Sequence, residues 1–238
     1  MTRPWRRDAG ERPLILAHRG ASRAEPENTV AAFRAAARLG ADGVELDVRR
    51  RADGQAAVLH DAALADGRVL VEVPAAELPG HVPDLDEALE ACGDLLVNVE
   101  IKNWPTDPDF DPDAALARTV VAAAARRRAH HRWIVSCFHR ATVRLVHDLD
   151  VRLPTALLTA APDLVRASEV ALADGHVALH PWDPHVDAGA VRAAHDAGLA
   201  VNVWTVDDPD RVRRLAAWGV DGIVTNVPDV AVAALSRG

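Results

Sequence analysis

The chain has 238 residues, 49% of them hydrophobic and 26% charged, and its formal net charge is -8. That length suits one large α/β barrel, with two small domains as the weaker alternative. The acidic balance argues against a nucleic-acid partner, which needs a basic footprint, and no apolar run reaches the length of a membrane span, so no stable membrane insertion is expected.

The stretch 1–12 is polar and arginine-rich, with no apolar core of a signal peptide. It is expected to be a flexible tail before a single domain over 13–238. Leu14-Ile15-Leu16-Ala17 is a continuous apolar run, the pattern of a buried parallel strand, and it stops at His18-Arg19-Gly20. Asn28 is expected to cap a helix running to about Leu39, which Gly40 ends. Gly43–Arg49 reads as the second strand, and Ala56–His60 as a strand-like extension of the same unit after the Ala52-Asp53-Gly54 turn. The stretch 62–83 carries Gly67, Pro74, Pro79, Gly80 and Pro83 and is expected to be an irregular excursion. A short helix over Asp84–Cys92 precedes a third barrel strand, Leu95–Lys102.

From there the rhythm is regular. Strand-like runs at Trp133–Phe138, Leu153–Leu158, His176–His180, Leu199–Val206 and Gly222–Thr225 alternate with helical segments. Eight strand–helix units in this length predict a (β/α)8 barrel of the α/β class, with functional groups at the C-terminal ends of the strands. No glycine-rich dinucleotide fingerprint follows any strand, which weighs against an open doubly wound sheet. Cys92 and Cys137, the two cysteines, lie far apart without metal-ligand spacing and read as reduced core residues of a cytoplasmic protein.

The chemistry-bearing residues gather at the strand ends. Side chains alternate along a strand, so Glu45 and Asp47 share one face, as do Asn98, Glu100 and Lys102. Two acids on one face repel unless a cation lies between them. Glu45, Asp47 and Glu100 together offer an all-oxygen site suited to one hard divalent cation, Mg²⁺ or Ca²⁺. Lys102 is the single lysine among 27 basic residues. In a composition this rich in arginine, a retained lysine points to a place that needs a compact ammonium rather than a planar fork. Arg19 and Lys102 would cradle a phosphate, and His18 and His60 can serve as acid and base near neutral pH. Phe138 and Trp204 either wall a substrate pocket or fill the barrel. His180 and Trp182 sit at the same rim, and most remaining histidines read as surface groups.

His18-Arg19-Gly20, Pro26-Glu27-Asn28-Thr29, Glu45-Leu46-Asp47-Val48, His60-Asp61, Glu100-Ile101-Lys102, Val203-Trp204-Thr205-Val206 and Thr225-Asn226-Val227-Pro228 occur in this order. Taken together they resemble the glycerophosphodiester phosphodiesterase family. The resemblance implies a phospholipase-C-like phosphodiesterase barrel that hydrolyses small glycerophosphodiesters to sn-glycerol 3-phosphate and an alcohol. It also implies Glu45, Asp47 and Glu100 as metal ligands, His18 and His60 as the acid/base pair, and Arg19 and Lys102 on phosphate. Three departures from the family pattern stand out. The stretch 61–83 is short and lacks the usual Arg-Thr-Thr segment and small helical insertion. Asp207 stands where the family usually has Asn, and Asn226 where it usually has Asp; neither is expected to touch the chemistry.

Two other readings compete. One is a lysophospholipid or inositol-type phosphodiesterase with a greasy mouth built from Val69-Leu70-Val71 and Val73. The other is a non-catalytic phosphate-binding barrel, which the presence of all seven proposed catalytic groups disfavours.

Overall fold

The computed structural model describes residues 5–8 and 10–236. Apolar runs too short for helices become strands, each buried on both faces. In chain order these are β1 (Leu14–His18), β2 (Gly43–Arg50), β3 (Ala56–Val58), β4 (Leu96–Ile101), β5 (Trp133–Cys137), β6 (Thr155–Thr159), β7 (Ala178–Pro181), β8 (Ala200–Val203) and β9 (Gly222–Thr225). β3 is antiparallel to the end of β2; the other eight are parallel and close as β1-β2-β4-β5-β6-β7-β8-β9, with β9 returning to β1. The expected (β/α)8 barrel is what forms.

The outer ring comprises α1 (Val30–Arg38), α2 (Leu85–Cys92), α3 (Ala115–Arg127), α4 (Arg140–Leu149), α5 (Leu164–Ala173), α6 (Ala188–Asp196), α7 (Pro209–Trp218) and α8 (Pro228–Leu235). Among the described residues no helix is long and apolar enough to cross a membrane. The main core lies between strands and helices: Val44, Leu46 and Val48 of β2, and Val97, Val99 and Ile101 of β4, pack outward into it. The alternate residues of the same strands therefore project into the barrel, and these are the polar ones.

Several local expectations are corrected. Thr29, not Asn28, caps α1, its hydroxyl accepting from the Ala32 amide. Asn28 takes a left-handed conformation, φ 56°, and turns its amide to Asp47 instead. The segment 62–83 holds two single-turn 3₁₀ helices and folds over a small apolar cluster of Leu64, Leu70, Val73 and Val82 with Ala57. Leu70 and Val73 are buried there, so they build that cluster and not a greasy mouth. His176 and His180 are both buried.

Residues 1–4 and 9 of the segment read as a tail lie outside the described residues. Of the rest, Trp5 is buried at the N-terminal end of the barrel against Leu16, Ile134, Ala156, Ala178, Ala200 and Val224. Three alanines on three consecutive strands leave the room its indole fills.

Gly43 shows how tightly the β1-β2-β4 seam is drawn. A Cβ there would come within 2.7 Å of both the Leu96 carbonyl oxygen and a Leu16 methyl. Gly43→Ala is expected to destabilise the fold by about 1–3 kcal/mol through overpacking against backbone that cannot yield. Thermal unfolding would read this as a fall of several degrees, roughly 2–4 °C per kcal/mol for a chain of this size.

Candidate active site

The seam of β1, β2 and β4 brings the predicted carboxylates together. Parallel register sets His18 opposite Glu45, Glu45 opposite Asn98, and Asp47 opposite Glu100. One oxygen from each of Glu45, Asp47 and Glu100 lies within 4.8 Å of the others, the one such group of three among the described residues.

Each acid is held differently. Glu45 Oε2 accepts from the Arg19 amide at 2.9 Å, while its Oε1 is buried without a partner. Asp47 Oδ2 accepts from Asn28 Nδ2 at 2.8 Å, and the Asp47 amide donates back to Asn28 Oδ1 at 3.3 Å. Arg19 Nε stands 3.4 Å from the same carboxylate. Lys102 Nζ is 2.7 Å from Glu100 and 3.5 Å from Asp47. One compact ammonium thus bridges two acids, which a guanidinium fork would not match.

Burial governs the charges. It pushes Glu45 well above the usual carboxylate range, with Asp47 and Glu100 adding repulsion. It pushes Glu100 up to about 7, against the pull of Lys102. Burial acts on Asp47 in the same direction, yet Lys102 and Arg19 outweigh it and hold that group below its ordinary value. An orphaned buried oxygen and carboxylates that resist ionising are what a site built for a hard cation looks like without its charge. The donor set, all oxygen and partly open, fits Mg²⁺ or Ca²⁺.

Both predicted histidines border this cluster. His18 Nδ1 bonds Asn226 Oδ1 at 2.8 Å. The Asn226 amide nitrogen donates to Asp207 at 2.8 Å, so its oxygen is the acceptor and His18 Nδ1 carries the proton. His60 Nδ1 donates to Asp61 at 2.7 Å. In each ring this leaves Nε2 as the free basic atom. Burial lowers both histidines below their ordinary value, more than Asn226 raises His18 or Asp47 raises His60.

Asn226, read from the sequence as clear of the chemistry, therefore bonds His18 directly, and Asp207 reaches the site through Asn226. Only strand closure, with β9 beside β1, reveals it. Asn28, expected as a helix cap, and Asp61, with no role assigned from the sequence, also bond site residues, Asp47 and His60. Inside the barrel His180 Nε2 bonds Asn202 at 2.8 Å, and burial alone lowers its pKa to about 3, a neutral core group.

Two cavities meet at the carboxylates. An inner one of about 70 Å³ is lined by His18, Arg19, Glu45, Asn98 and Glu100, with Phe138 and Trp204 among its walls. An outer one of about 640 Å³ shares His60, Glu100, Lys102 and Phe138 with it. Phe138 meets Trp204 edge to face at 5.5 Å, and Trp204 Nε1 donates to the His180 carbonyl at 2.9 Å, so both aromatics wall the site and are fixed there. Trp182 is 39% exposed and lines neither cavity.

Residues 18–230 match the model of the glycerophosphoryl diester phosphodiesterase family. The chain belongs to that family. A glycerophosphodiester phosphodiesterase of Caldanaerobacter subterraneus subsp. tengcongensis is 31% identical over 94% of this chain and 98% of its own length. The crystal structure of a glycerophosphodiester phosphodiesterase from Thermotoga maritima superposes with a TM-score of 0.79 at 25% identity, covering 95% of this chain and 99% of that one. A phosphodiesterase of Oleispira antarctica, solved in complex with its product sn-glycerol-3-phosphate, shares the fold at a TM-score of 0.82 and 24% identity, over 95% of this chain and 98% of that one. The barrel is thus that of a family of phosphodiester hydrolases, and the family's span covers every residue of the site just described.

The raised Glu100 pKa has a consequence for stability. A carboxyl whose folded value lies above its unfolded one stabilises the fold fully below about pH 4.5, and that contribution is lost as pH rises toward 7. In metal-free protein kept in chelator, the wild type is expected to lose thermal midpoint relative to Glu100→Gln between pH 5 and pH 7.5, by about 3 °C or more. Parallel melts of the two proteins at both pH values check this; a constant offset would contradict it.

Proposed function

We propose that this protein hydrolyses glycerophosphodiesters to sn-glycerol 3-phosphate and an alcohol, using one bound divalent cation and a histidine pair. The observation that carries the reading is the buried carboxylate trio with its orphaned Glu45 oxygen, set between two histidines, an arginine and the single lysine. Glu45, Asp47 and Glu100 would hold the cation, Mg²⁺ or Ca²⁺, which when bound supplies charge to a non-bridging phosphate oxygen and raises the acidity of a bound hydroxyl or water.

The remaining chemistry belongs to the chain. Arg19 and Lys102 line the inner cavity and orient the phosphodiester as a fixed positive surface. Nε2 of one histidine takes a proton from water as the water oxygen bonds to phosphorus. The bond from phosphorus to the alcohol oxygen breaks, and the other histidine, entering the step as an imidazolium protonated on both nitrogens, gives its Nε2 proton to that oxygen. Asn226 and Asp61, bonded to the Nδ1 protons, keep both Nε2 atoms turned to the reaction. The chain-length likeness to the Caldanaerobacter enzyme supports this assignment of substrate class. We also propose a cytoplasmic location, which the two buried, unpaired cysteines support.

Release of glycerol 3-phosphate from glycerophosphodiesters, followed with Mg²⁺, with Ca²⁺ and with chelator, tests the reading. Turnover is expected with one of the cations and none with chelator; silence on every diester would refute it. His18→Ala and His60→Ala are each expected to cut kcat by about 10²–10⁴-fold while leaving the thermal midpoint within a few degrees. Lys102→Arg is expected to cost about tenfold or more in kcat/KM despite keeping its charge, because a planar fork cannot bridge Glu100 and Asp47 from one point. Wild-type kinetics in that variant would show that charge alone suffices at position 102.

A further inference from the structure

The outer cavity, about 640 Å³, is far larger than the inner one, and the chemistry above uses only its near edge. Its far side carries two independent features. The first is an aromatic corner. Trp104 meets Phe138 edge to face, with centroids 5.8 Å apart and planes at 86°. Both line the cavity, and Trp104 is 47% exposed. Two rings at right angles present π surface as a corner, the shape that holds a compact cation.

The second feature is charge. Asp61 and Asp107 both line the cavity. Arg49, which lines the same cavity, is shared by Asp107 at 2.8 Å and buried Asp109 at 2.7 Å. One guanidinium between two carboxylates leaves that group one negative charge in excess. Asp61 has no arginine or lysine partner among the described residues; its contact is His60, whose charge burial disfavours. Lys102 is already matched by Glu100. Negative charge is therefore in excess at the outer end, whereas at the inner end Arg19, Lys102 and the divalent cation that the carboxylates would hold supply positive charge. A ligand that suits both ends is anionic at the phosphate and cationic at its far arm.

We infer that the outer cavity is the subsite for the leaving alcohol and that it selects an alcohol bearing an ammonium group, quaternary or primary, through the Trp104–Phe138 corner and the Asp61 and Asp107 carboxylates. The inference rests on the phosphodiesterase reading. The same wall carries Phe138, Leu158 and Ala161, whose side-chain carbon suits the methyl or methylene groups of such an alcohol. An anionic arm would meet the excess carboxylate charge.

The test compares kcat/KM of the cation-loaded enzyme for glycerophosphocholine, glycerophosphoethanolamine, glycerophosphoinositol and the 3,3-dimethylbutyl ester of glycerol phosphate, a neutral isostere of the choline ester. At least one ammonium ester is expected to exceed the isostere by about tenfold, the size of a desolvated cation–π contact with added carboxylate attraction. Trp104→Ala is expected to shrink that ratio to about twofold, and Trp104→Phe to retain most of it. The ratio, not the absolute rate, is the readout, so a general loss of activity does not imitate the effect. Equal kcat/KM for isostere and ammonium esters, or a preference for the inositol ester, would overturn the subsite and leave the phosphodiesterase reading standing. A ratio unchanged in Trp104→Ala would remove the aromatic corner from it. Failure to hydrolyse any of the four with either cation would take down both readings together.

Discussion

Three carboxylates converge on one point inside a barrel, and the rest of the site exists to make that arrangement tolerable. Like charges this close and this buried cannot all ionise unaided. Lys102 reaches between two of them, Arg19 lends its backbone to one and its guanidinium to another, and Asn28 closes on Asp47 from both amide atoms. Even so, Glu45 keeps an oxygen with no partner and Glu100 is pushed up to about 7. The fold has placed more negative charge than its own cations neutralise. That deficit is the physical basis for expecting a divalent cation there.

The barrel is what makes the convergence possible. β1 carries His18 and leads into Arg19, β2 carries Glu45 and Asp47, and β4 carries Glu100 and leads into Lys102. Parallel pairing in fixed register sets His18 level with Glu45, and Asp47 level with Glu100. Glycine at position 43 lets β2 approach its neighbours closely enough to do so. Closure through β9 then supplies the remaining layer. Asp207 fixes Asn226, and Asn226 fixes the tautomer of His18, so an amide and a carboxylate far along the chain decide which imidazole nitrogen is available.

The two cavities divide the electrostatics of the site. The inner one collects Arg19, Lys102, Glu45 and Glu100, a place for a phosphate held in a fixed field. The outer one is roomy, walled by aromatic and aliphatic side chains, and rimmed by acids whose one arginine is already shared. An ammonium ester lying across both would set each of its charges against protein charge of the opposite sign. The short 62–83 segment turns Leu70 and Val73 into its own small core, which leaves that wall of the mouth without a greasy surface.

By itself the sequence determined the strands, the helices and the residues at their junctions. A strand's alternation fixes that Glu45 and Asp47 share a face, and a solitary lysine in an arginine-rich chain marks its own position; both are local properties. The family motifs, being contiguous, were equally legible. Tertiary structure alone decided the rest, because it depends on contacts between residues far apart in the chain. Asn28 read as a helix cap by type, yet it serves Asp47 nineteen positions away. Asn226 read as remote from the chemistry, yet it bonds His18 across 208 positions. Trp104 carried no signal until Phe138 stood beside it, and the part of the presumed tail that holds Trp5 gained a place only when β6, β7 and β8 presented their alanines together. Local patterning sets which way a side chain points, whereas only closure of the barrel sets what it points at.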